Sequence, residues 1–411
     1  MALRHNPAEI MPLFQRLDRD TDSFLNRRPV LVIEYTDPEE GFRGWFARHD
    51  TGSRLCAGGM RVQQGLDRDH VEQMARNMAL KMRIAAINVN GAKCGIDYDP
   101  AAPGKVAAMR RFLSHIRPYV ETCYSLGPDL NVDMATLENC VSAVGLPSPK
   151  IAVARAQGWS TEYFLERSRI LDLPALGDWS LGRLRAGFGV AAAVLATIDW
   201  LGLPPETVRI SIQGFGQLAR AAGFTLHGRG LRLTGISDIR HSFVCTGREL
   251  PLASLLASGP ACLLPKSAPT GVRQLDSEAL LAQPCDILVP AAVERTITAA
   301  NCHLLQCRAV VPGANLAVTR EAALMLHERG ILVIPDFVAG CAGSLSMQGL
   351  YGVGAHPSGA DVLAHIERRM RRMVTGILDL AAGQHIPPVD AALCLCRDFT
   401  PTDNEPPYRL A

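Results

Sequence analysis

Two lysines, Lys81 and Lys93, stand twelve residues apart in the stretch MALKMRIAAINVNGAKCGID at 78–97. The chain has only five lysines among its 42 basic residues, and the other 37 are arginines. An arginine stays protonated under ordinary conditions, whereas a buried lysine can lose its proton and act as a base. The retained lysines therefore predict base chemistry. The alternative is two surface lysines, one on a helix and one in a loop.

Helical and turn patterns surround the two lysines. Lys81 lies near the end of a helical pattern, and a turn-like Asn-Val-Asn-Gly sequence at 88–91 precedes Lys93. A helix followed by a turn can bring both amines to one pocket. The apolar positions that define the helix are Val71, Met74, Met78 and Met82.

Two neighbouring segments carry further polar groups. In CAGGMRV, the adjacent Gly58 and Gly59 are typical of a turn where the backbone approaches a ligand closely, and Arg61 can bind a carboxylate. In GPDLNVD, an aspartate after Gly-Pro is ordinarily a turn residue or a helix cap, a choice that applies to Asp129 and Asp133. Across a pocket from an amine, Asp129 would be the acid that exchanges protons with it.

The composition is that of a globular protein without a polyanionic partner. The 411 residues allow two domains, and the chain is 48% hydrophobic and 20% charged. A net charge of +2 gives no indication of nucleic-acid binding. The N-terminal sequence lacks the apolar segment of a signal peptide, and no uninterrupted apolar run reaches the ~18 residues that indicate a membrane span.

The cysteines indicate a reducing compartment. Twelve are scattered along the chain, and only Cys394 and Cys396 come close together. Because neither a Cys-x-x-Cys pair nor a Cys/His cluster with zinc spacing occurs, we expect reduced thiols, a cytoplasmic protein and no metal site.

A dinucleotide-binding pattern begins at the β-branched run TVRISIQ. The run leads into GFGQLA, a helical pattern continues to His227, and a second strand, LRLTGIS, ends at Asp238, 24 residues after the first glycine. The glycines let a pyrophosphate approach a helix N-terminus, and the acid can hold the adenine-ribose diol. The candidate cofactor-binding residues of the turn are Gly214, Phe215, Gly216, Gln217 and Leu218.

The sequence after the second strand leaves the cofactor open between NAD and NADP. Asp238 favours NAD because its carboxylate would repel a 2′-phosphate, whereas the following Arg240 and His241 are the alternative, a pair able to accommodate that phosphate. Strands and helices then alternate through CDILVP, AVVPGAN, TREAALMLHERG and ILVIPDF. This order predicts an α/β fold with a doubly wound parallel sheet.

The motifs, taken in order, resemble the glutamate/leucine/phenylalanine/valine dehydrogenase superfamily of amino-acid dehydrogenases over about residues 30–380. CAGGMR resembles its Gly-Gly-x-Arg segment, MALKMRIAAINVNGAKCGI its paired-lysine segment, and GPDLNVDM the loop of its catalytic aspartate. GFGQLA, CDILVPAA, VVPGAN and ILVIPDFVAGCAGS resemble segments of its nucleotide-binding domain. No single motif decides the family, but the ordered set is specific.

The resemblance implies reversible oxidative deamination of an L-amino acid to its 2-oxo acid and ammonia. Lys81 would bind the substrate α-carboxylate with help from the Gly59 backbone, and Lys93 would activate water for attack on the imino acid. Asp129 would shuttle protons to and from the amino group. Hydrolysis of a cationic imine needs a base near neutral pH, and a second cation near Lys93 would lower its pKa by repulsion.

The resemblance also implies the domain organisation and more of the cofactor site. We expect a substrate-binding and oligomerisation domain at 1–182, a Rossmann-type domain at 183–357, and a C-terminal helical region at 358–411 that packs back on the first domain. Hydride transfer would take place in a cleft between the domains, in a homo-oligomer. Ala291 and Asn315 fall where the family lines the site for NAD, or alternatively NADP.

Two departures from the family predict an apolar substrate. Glutamate-specific members carry a lysine just before Gly-Gly, where this chain has Ala57, and a serine where it has Met347. Both changes remove polar partners of a side-chain carboxylate, whose burial without a partner is costly. We therefore expect a branched-chain or aromatic amino acid to bind at Ala57 and Met347.

Other departures leave alternatives to an efficient enzyme open. Ala186 replaces a threonine of the family, Gly340 an asparagine, and Asn90 a glycine before the catalytic lysine. One alternative is a dinucleotide-binding regulatory or accessory protein that kept the fold with weakened catalysis. Another is a different dehydrogenase chemistry on the same fold.

Overall fold

The structure, a computed structural model, describes residues 27–245, 249–257, 263–352, 354 and 356–409. The spacing of Ile10, Leu13, Phe14 and Leu17 predicts an amphipathic helix over 1–28. These residues lie outside the described part of the chain, apart from the last two, which are not helical. The chain divides into two compact units. One runs to Arg167 and takes in Leu393–Arg409, and the other is Ser168–Ala392.

The first unit is built on a five-stranded mixed sheet. Its strands are β1 (Leu31–Thr36), β2 (Arg43–Arg48), β3 (Cys56–Gln63), β4 (Asn90–Asp97) and β5 (Tyr124–Pro128). Its helices are α1 (Arg68–Ile84), α2 (Lys105–Thr122), α3 (Met134–Ala143), α4 (Ile151–Gln157) and α5 (Thr161–Ser168). The strand order is β1-β2-β4-β3-β5, in which β3 pairs in parallel with β4 and β5, and the other pairs are antiparallel.

Apolar side chains hold helices on both faces of this sheet. Val71 and Met74 of α1 pack with Trp45, so the helical pattern predicted before Lys81 is confirmed. The larger cluster joins the strands to α2 and α3 through residues such as Phe112 and Leu137. The central β4 is buried along almost its whole length, which places any polar side chain on it away from water.

Two local predictions in this unit are wrong. Gly58 and Gly59 lie inside β3 and make no turn, and Lys93 lies inside β4, which already begins at Asn90. Glycine marks turns, but it also marks places where two backbones approach closely. A Cβ at Gly58 would stand 1.7 Å from the carbonyl oxygen of Ala92, so close strand packing is the reason for glycine here.

The second unit contains a seven-stranded sheet and a small hairpin. Its strands are β6 (Pro174–Leu176), β7 (Trp179–Ser180), β8 (Arg209–Gln213), β9 (Arg232–Ser237), β10 (His241–Val244), β11 (Arg273–Asp276), β12 (Ile287–Pro290), β13 (Ala309–Val310) and β14 (Leu332–Val333). Its helices are α6 (Leu181–Trp200), α7 (Gln217–Gly228), α8 (Leu252–Ala257), α9 (Arg320–Glu328), α10 (Asp336–Ala339), α11 (Ala342–Tyr351) and α12 (Gly359–Gln384).

The seven strands lie in the order β11-β10-β9-β8-β12-β13-β14. The five strands from β9 to β14 in this order are parallel, and β10 and β11 extend one edge antiparallel. Because chain order reverses between β8 and β12, the carboxyl ends of these two strands flank the switch point where such sheets bind ligands.

The observed division differs from the predicted domains at 1–182, 183–357 and 358–411. The helix α12 belongs to the second unit, where its Asp379 accepts a hydrogen bond from Trp200 Nε1 at 2.9 Å and its Glu367 pairs with Arg229 at 2.8 Å. The hairpin β6–β7 and α6 also lie in the second unit. The reason is packing: the amphipathic face of α12 is buried against α6 and α11, as the contact of Trp200 with Asp379 and of Gln348 with His365 shows.

Only the end of the chain returns to the first unit, through α13 (Pro388–Arg397) and the residues after it. The Asn88 amide donates to the carbonyl oxygens of Thr402 at 2.9 Å and Glu405 at 2.8 Å, and its own oxygen accepts from Thr402 N at 2.7 Å. Arg83 donates to the carbonyl oxygen of Phe399 at 3.0 Å. The residues after α13 are thus held by hydrogen bonds to the first unit.

Among the described residues, α6 is the one helix long and apolar enough to cross a membrane. Of its apolar window, 78% is buried within the protein. It is therefore the core helix of the second unit.

Candidate functional site

Lys93 occupies the middle of the first unit's sheet. Its side chain, on the central β4, is 3% exposed, and its Nζ lies 3.0 Å from Asp129 Oδ2. Lys81, in the last turn of α1, is also buried, at 6%. The alternative of two surface lysines is therefore excluded, and the base predicted at position 93 has an acidic partner.

Asp129 follows β5 directly, and one of its carboxylate oxygens contacts two cationic side chains. Its Oδ2 accepts a hydrogen bond from Arg61 Nε at 2.7 Å as well as the contact from Lys93. The helix cap expected in this loop is Asp133, whose carboxylate accepts from Thr136 N at 2.8 Å. Asp129, whose side chain is 14% exposed, is thus left for the cluster with Lys93.

Arg61 is the site residue whose role sequence reasoning missed. The sequence marked it as a partner for a ligand carboxylate, and the structure pairs it with Asp129, 68 residues further on. Its Nη1 also donates to Gln63 Oε1 at 3.2 Å and lies 3.5 Å from His70 Nε2. A signal was present, because residues two apart on a strand share one face of the sheet, so Arg61 shares the face of Gly59.

Burial and charge together set the pKa values of the cluster. Burial lowers the pKa of Lys93; Asp129 opposes that effect and Arg61 adds to it, so the pKa lies below the ordinary lysine value. Burial alone would raise the pKa of Asp129, but the two cations outweigh it and hold the pKa well below the ordinary range. The cluster therefore contains an ionised carboxylate and a lysine whose lowered pKa makes it a weaker base than an ordinary lysine, one that gives up its proton more readily.

The remaining predicted residues of the first unit lie on β3 and α1. A Cβ at Gly59 would stand 2.9 Å from Asp129 Cβ, so the glycine keeps the backbone of β3 against the carboxylate. Ala57 lies two residues earlier on the same strand, paired with Gly91 on one side and Ser125 on the other. Ala57 is buried, and its methyl group offers no hydrogen bond to a ligand.

The predicted dinucleotide turn has the backbone that a pyrophosphate requires. Gly214 ends β8 with φ +107°, and a Cβ there would stand 2.8 Å from the carbonyl oxygen of Ala291. Gly216 caps α7, which has no side-chain cap, and a Cβ on Gly216 would meet open space within 4 Å. Free helix N-terminal N–H groups beside open space fit a phosphate group.

The other predicted cofactor residues lie around this turn. Phe215 is buried, and Gln217 Nε2 donates to the carbonyl oxygen of Arg183 at 2.9 Å. Leu218 lies against Gly313: a Cβ on Gly313 would stand 2.6 Å from Leu218 Cδ2. Ala291 follows β12, and the half-buried Asn315 lies in the loop after β13, so both stand at the carboxyl ends of parallel strands.

Asp238 follows β9, as predicted, but its carboxylate is occupied by its own chain. It accepts hydrogen bonds from the backbone N–H groups of Arg240, His241 and Leu264 and from the Arg240 side chain. Burial would raise its pKa, and these donors lower it below the ordinary value.

Met347 lies on α11 in the second unit and is buried. The residue before it, Ser346, accepts a hydrogen bond from Arg185 Nη1 at 2.7 Å. A guanidinium therefore lies beside the segment in which the sequence predicted only apolar contacts.

Two known family models match the chain. A family model described as Glutamate/Leucine/Phenylalanine/Valine dehydrogenase matches residues 180–396, and one described as Glu/Leu/Phe/Val dehydrogenase, dimerisation domain, matches residues 29–143. The chain belongs to this family. The resemblance predicted from the motifs is confirmed, and so is the two-domain α/β fold with a Rossmann-type parallel sheet.

Characterised relatives differ in their cofactor. The chain is 26% identical over 344 residues to the NADP-specific glutamate dehydrogenase of Saccharolobus shibatae, covering 80% of this chain and 76% of the relative. It is 28% identical over 313 residues to the catabolic NAD-specific glutamate dehydrogenase of Bacillus subtilis, covering 74% and 68%. The chain is therefore an NAD(P)-dependent oxidoreductase of the amino-acid dehydrogenase class, acting on a CH–NH2 donor.

A solved structure supports the fold. The hetero-hexameric glutamate dehydrogenase from Thermus thermophilus, in its leucine-bound form, superposes with a TM-score of 0.74 at 21% identity and covers 97% of this chain and 96% of its own.

Proposed function

We propose that the chain catalyses the reversible oxidative deamination of an L-amino acid, with Lys93 as base, Asp129 as proton shuttle and Lys81 as the partner of the substrate α-carboxylate. The observation that carries this proposal is the buried contact of 3.0 Å between Lys93 Nζ and Asp129 Oδ2. A bound NAD or NADP supplies the acceptor for the hydride that leaves Cα.

The proton steps follow from the charges in the cluster. Ionised Asp129 takes a proton from the substrate ammonium group. Once hydride has left, neutral Lys93 removes a proton from the water that adds to the imine carbon. Burial lowers the pKa of Lys93 and Arg61 adds to that effect, which favours this neutral form. Protonated Asp129 then returns its proton to the carbinolamine nitrogen, and as ammonia leaves, the hydroxyl proton passes to the ionised Asp129 to give the 2-oxo acid.

For the substrate side chain, glutamate is the first candidate. The named relatives are glutamate dehydrogenases and give no support to the apolar substrate predicted from Ala57 and Met347. An apolar amino acid is the second candidate, because Ala57 stands where glutamate-specific members of the family have a lysine.

A spectrophotometric assay tests the reaction. NADH and NADPH formation is measured with glutamate, leucine, valine and phenylalanine at alkaline pH. We expect turnover by the wild type, its loss in Lys93→Ala, and its retention in Lys105→Ala, since Lys105 lies outside the cluster and donates to the carbonyl oxygen of Asn131. Equal activity of Lys93→Ala and the wild type would contradict the proposed base.

The wild-type preference and one substitution separate the two substrate candidates. If glutamate is the substrate, the wild type turns over glutamate in preference to leucine. If an apolar amino acid is the substrate, the wild type prefers leucine or phenylalanine, and Ala57→Lys moves the preference towards glutamate. The wild-type ratio of kcat/KM for glutamate and leucine decides which candidate stands.

Two further expectations remain proposals. A homo-oligomer is supported by the match of residues 29–143 to a dimerisation domain, and light scattering of the purified chain tests it. A cytoplasmic location is supported by the free thiols of the described cysteines. Fractionation of the source cells tests that location.

A further inference from the structure

The acid at the end of β9 would ordinarily receive the two hydroxyls of the adenine ribose. Asp238 has that place in the chain, but its side chain is 2% exposed. A carboxylate in that role needs oxygen lone pairs that face the ligand. Its existing hydrogen bonds therefore decide whether it can bind a ribose.

Both oxygens of Asp238 are already used. Oδ1 accepts from the backbone N–H groups of Arg240 at 2.8 Å and His241 at 3.0 Å. Oδ2 accepts from Leu264 N at 2.8 Å and from Arg240 Nε at 3.2 Å and Nη2 at 3.0 Å. An ionised carboxylate offers about four lone-pair positions, so these five donors leave none for a diol.

The same contacts tie two separate segments together. Arg240 Nη2 also donates to the carbonyl oxygen of Leu264, and His241 Nε2 lies 2.8 Å from the carbonyl oxygen of Pro265. Asp238, Arg240 and His241 thus all bind residues 264–265. Turning the carboxylate towards a ribose would break this set of contacts and leave buried N–H groups without partners.

Asp238 therefore presents no free carboxylate to a ligand, and the exposed charged group beside it is the Arg240 guanidinium. Arg240 neutralises Asp238 and is itself 36% exposed. Its Nε and Nη2 are engaged in hydrogen bonds, whereas its Nη1 has no hydrogen-bond partner among the described residues. A guanidinium edge of this kind is suited to phosphate oxygens.

We infer that Asp238 is a structural anchor, and that the chain binds NADP at least as tightly as NAD, with Arg240 contacting the 2′-phosphate. This inference rests on the proposed dinucleotide site at Gly214. It reverses the preference for NAD predicted from the sequence, because that prediction treated the carboxylate of Asp238 as available.

Binding of NADPH and NADH to the full chain by isothermal titration calorimetry tests the inference without turnover. We expect a Kd for NADPH equal to or below that for NADH. Arg240→Gln should weaken NADPH by roughly tenfold and change NADH by less than twofold. Arg232→Gln, an exposed arginine at the opposite end of β9, is the matched control and should change neither.

Asp238→Asn separates an anchor from a ribose receptor. If Asp238 is an anchor, Asp238→Asn lowers the Tm and weakens NADPH at least as much as NADH, because Arg240 loses the carboxylate that positions it. If Asp238 is a ribose receptor, the substitution improves NADPH relative to NADH, which would overturn the inference. Tight NADH binding with NADPH at least tenfold weaker in the wild type would overturn this inference alone. Binding of neither dinucleotide would overturn the proposed function as well.

Discussion

Replacing Arg61 by glutamine removes the cation that shares Asp129 with Lys93. The two contacts to Asp129 Oδ2, at 2.7 and 3.0 Å, place the two cations within about 6 Å of each other. At an effective dielectric constant of 20, two like charges at that distance repel by about 3 kcal/mol. Since 1.36 kcal/mol corresponds to one pKa unit, full removal would raise the pKa of Lys93 by roughly two units, and relaxation of the site reduces this to about one to two.

The pH dependence of kcat/KM reports this shift. Neutral Lys93 is the active form, so activity rises with pH through the apparent pKa of the pair that it forms with Asp129. Arg61→Gln raises that pKa, and the rising limb should therefore move to higher pH by about one to two units. Rates are measured from pH 6 to about 11 with saturating dinucleotide, and circular dichroism confirms that the variant is folded.

Two controls isolate charge from packing. Arg61→Lys keeps the positive charge, so its rising limb should stay within about half a unit of the wild type. Arg43→Gln removes an exposed arginine of β2 that pairs with Glu34 and not with the cluster. It should leave the pH profile unchanged. A rising limb that moves to lower pH in Arg61→Gln, or moves equally in Arg61→Lys, would refute the electrostatic role of Arg61.

Three further outcomes are expected. Asp129→Asn leaves two buried cations without their carboxylate, so unfolding by urea should show a loss of about 3–5 kcal/mol and turnover should vanish, while unchanged stability would speak against the ion cluster. Gly214→Ala forces a side chain to φ +107° and against a backbone oxygen, so calorimetry should show dinucleotide affinity reduced at least about tenfold, whereas Gly228→Ala, whose methyl meets open space, should bind normally. Burial would raise the pKa of Asp37, but the bond from Arg111 helps to lower it from 3.8 to about 2, so this pair stabilises the fold above pH 3.8 and loses its effect as the pH falls towards 2. The difference in unfolding free energy between wild type and Arg111→Gln should shrink over that interval, and a difference constant with pH would contradict the assignment.

The features predicted well from sequence are local ones. The dinucleotide turn needs a strand, a glycine pair and a helix in immediate succession, and GFGQLA shows all three within one short stretch. The chain's preference for arginine also marked Lys93 as a candidate base, although the sequence left open whether its side chain is buried or on the surface. In both cases the residues that matter are close neighbours in the chain.

The features that were missed depend on contacts between distant segments. Arg61 meets Asp129 only because β3 lies beside β5, and no local pattern states that pairing. Asp238 accepts a hydrogen bond from the backbone N–H group of Leu264, 26 residues further on, and this contact helps to make its carboxylate unavailable to a ligand. Gly58 was predicted in a turn because the same residue type serves turns and close strand contacts, and only the position of Ala92 distinguishes them.

The anchoring of the chain's last residues makes the C-terminus sensitive to genetic change. Asn88, which binds Thr402 and Glu405, lies in the loop between the helix that ends near Lys81 and the strand that carries Lys93. A frameshift or early stop codon after α13 would therefore disturb the segment between the two lysines, although it deletes neither of them. A purification tag is safer when it is separated from Arg409 by a flexible spacer.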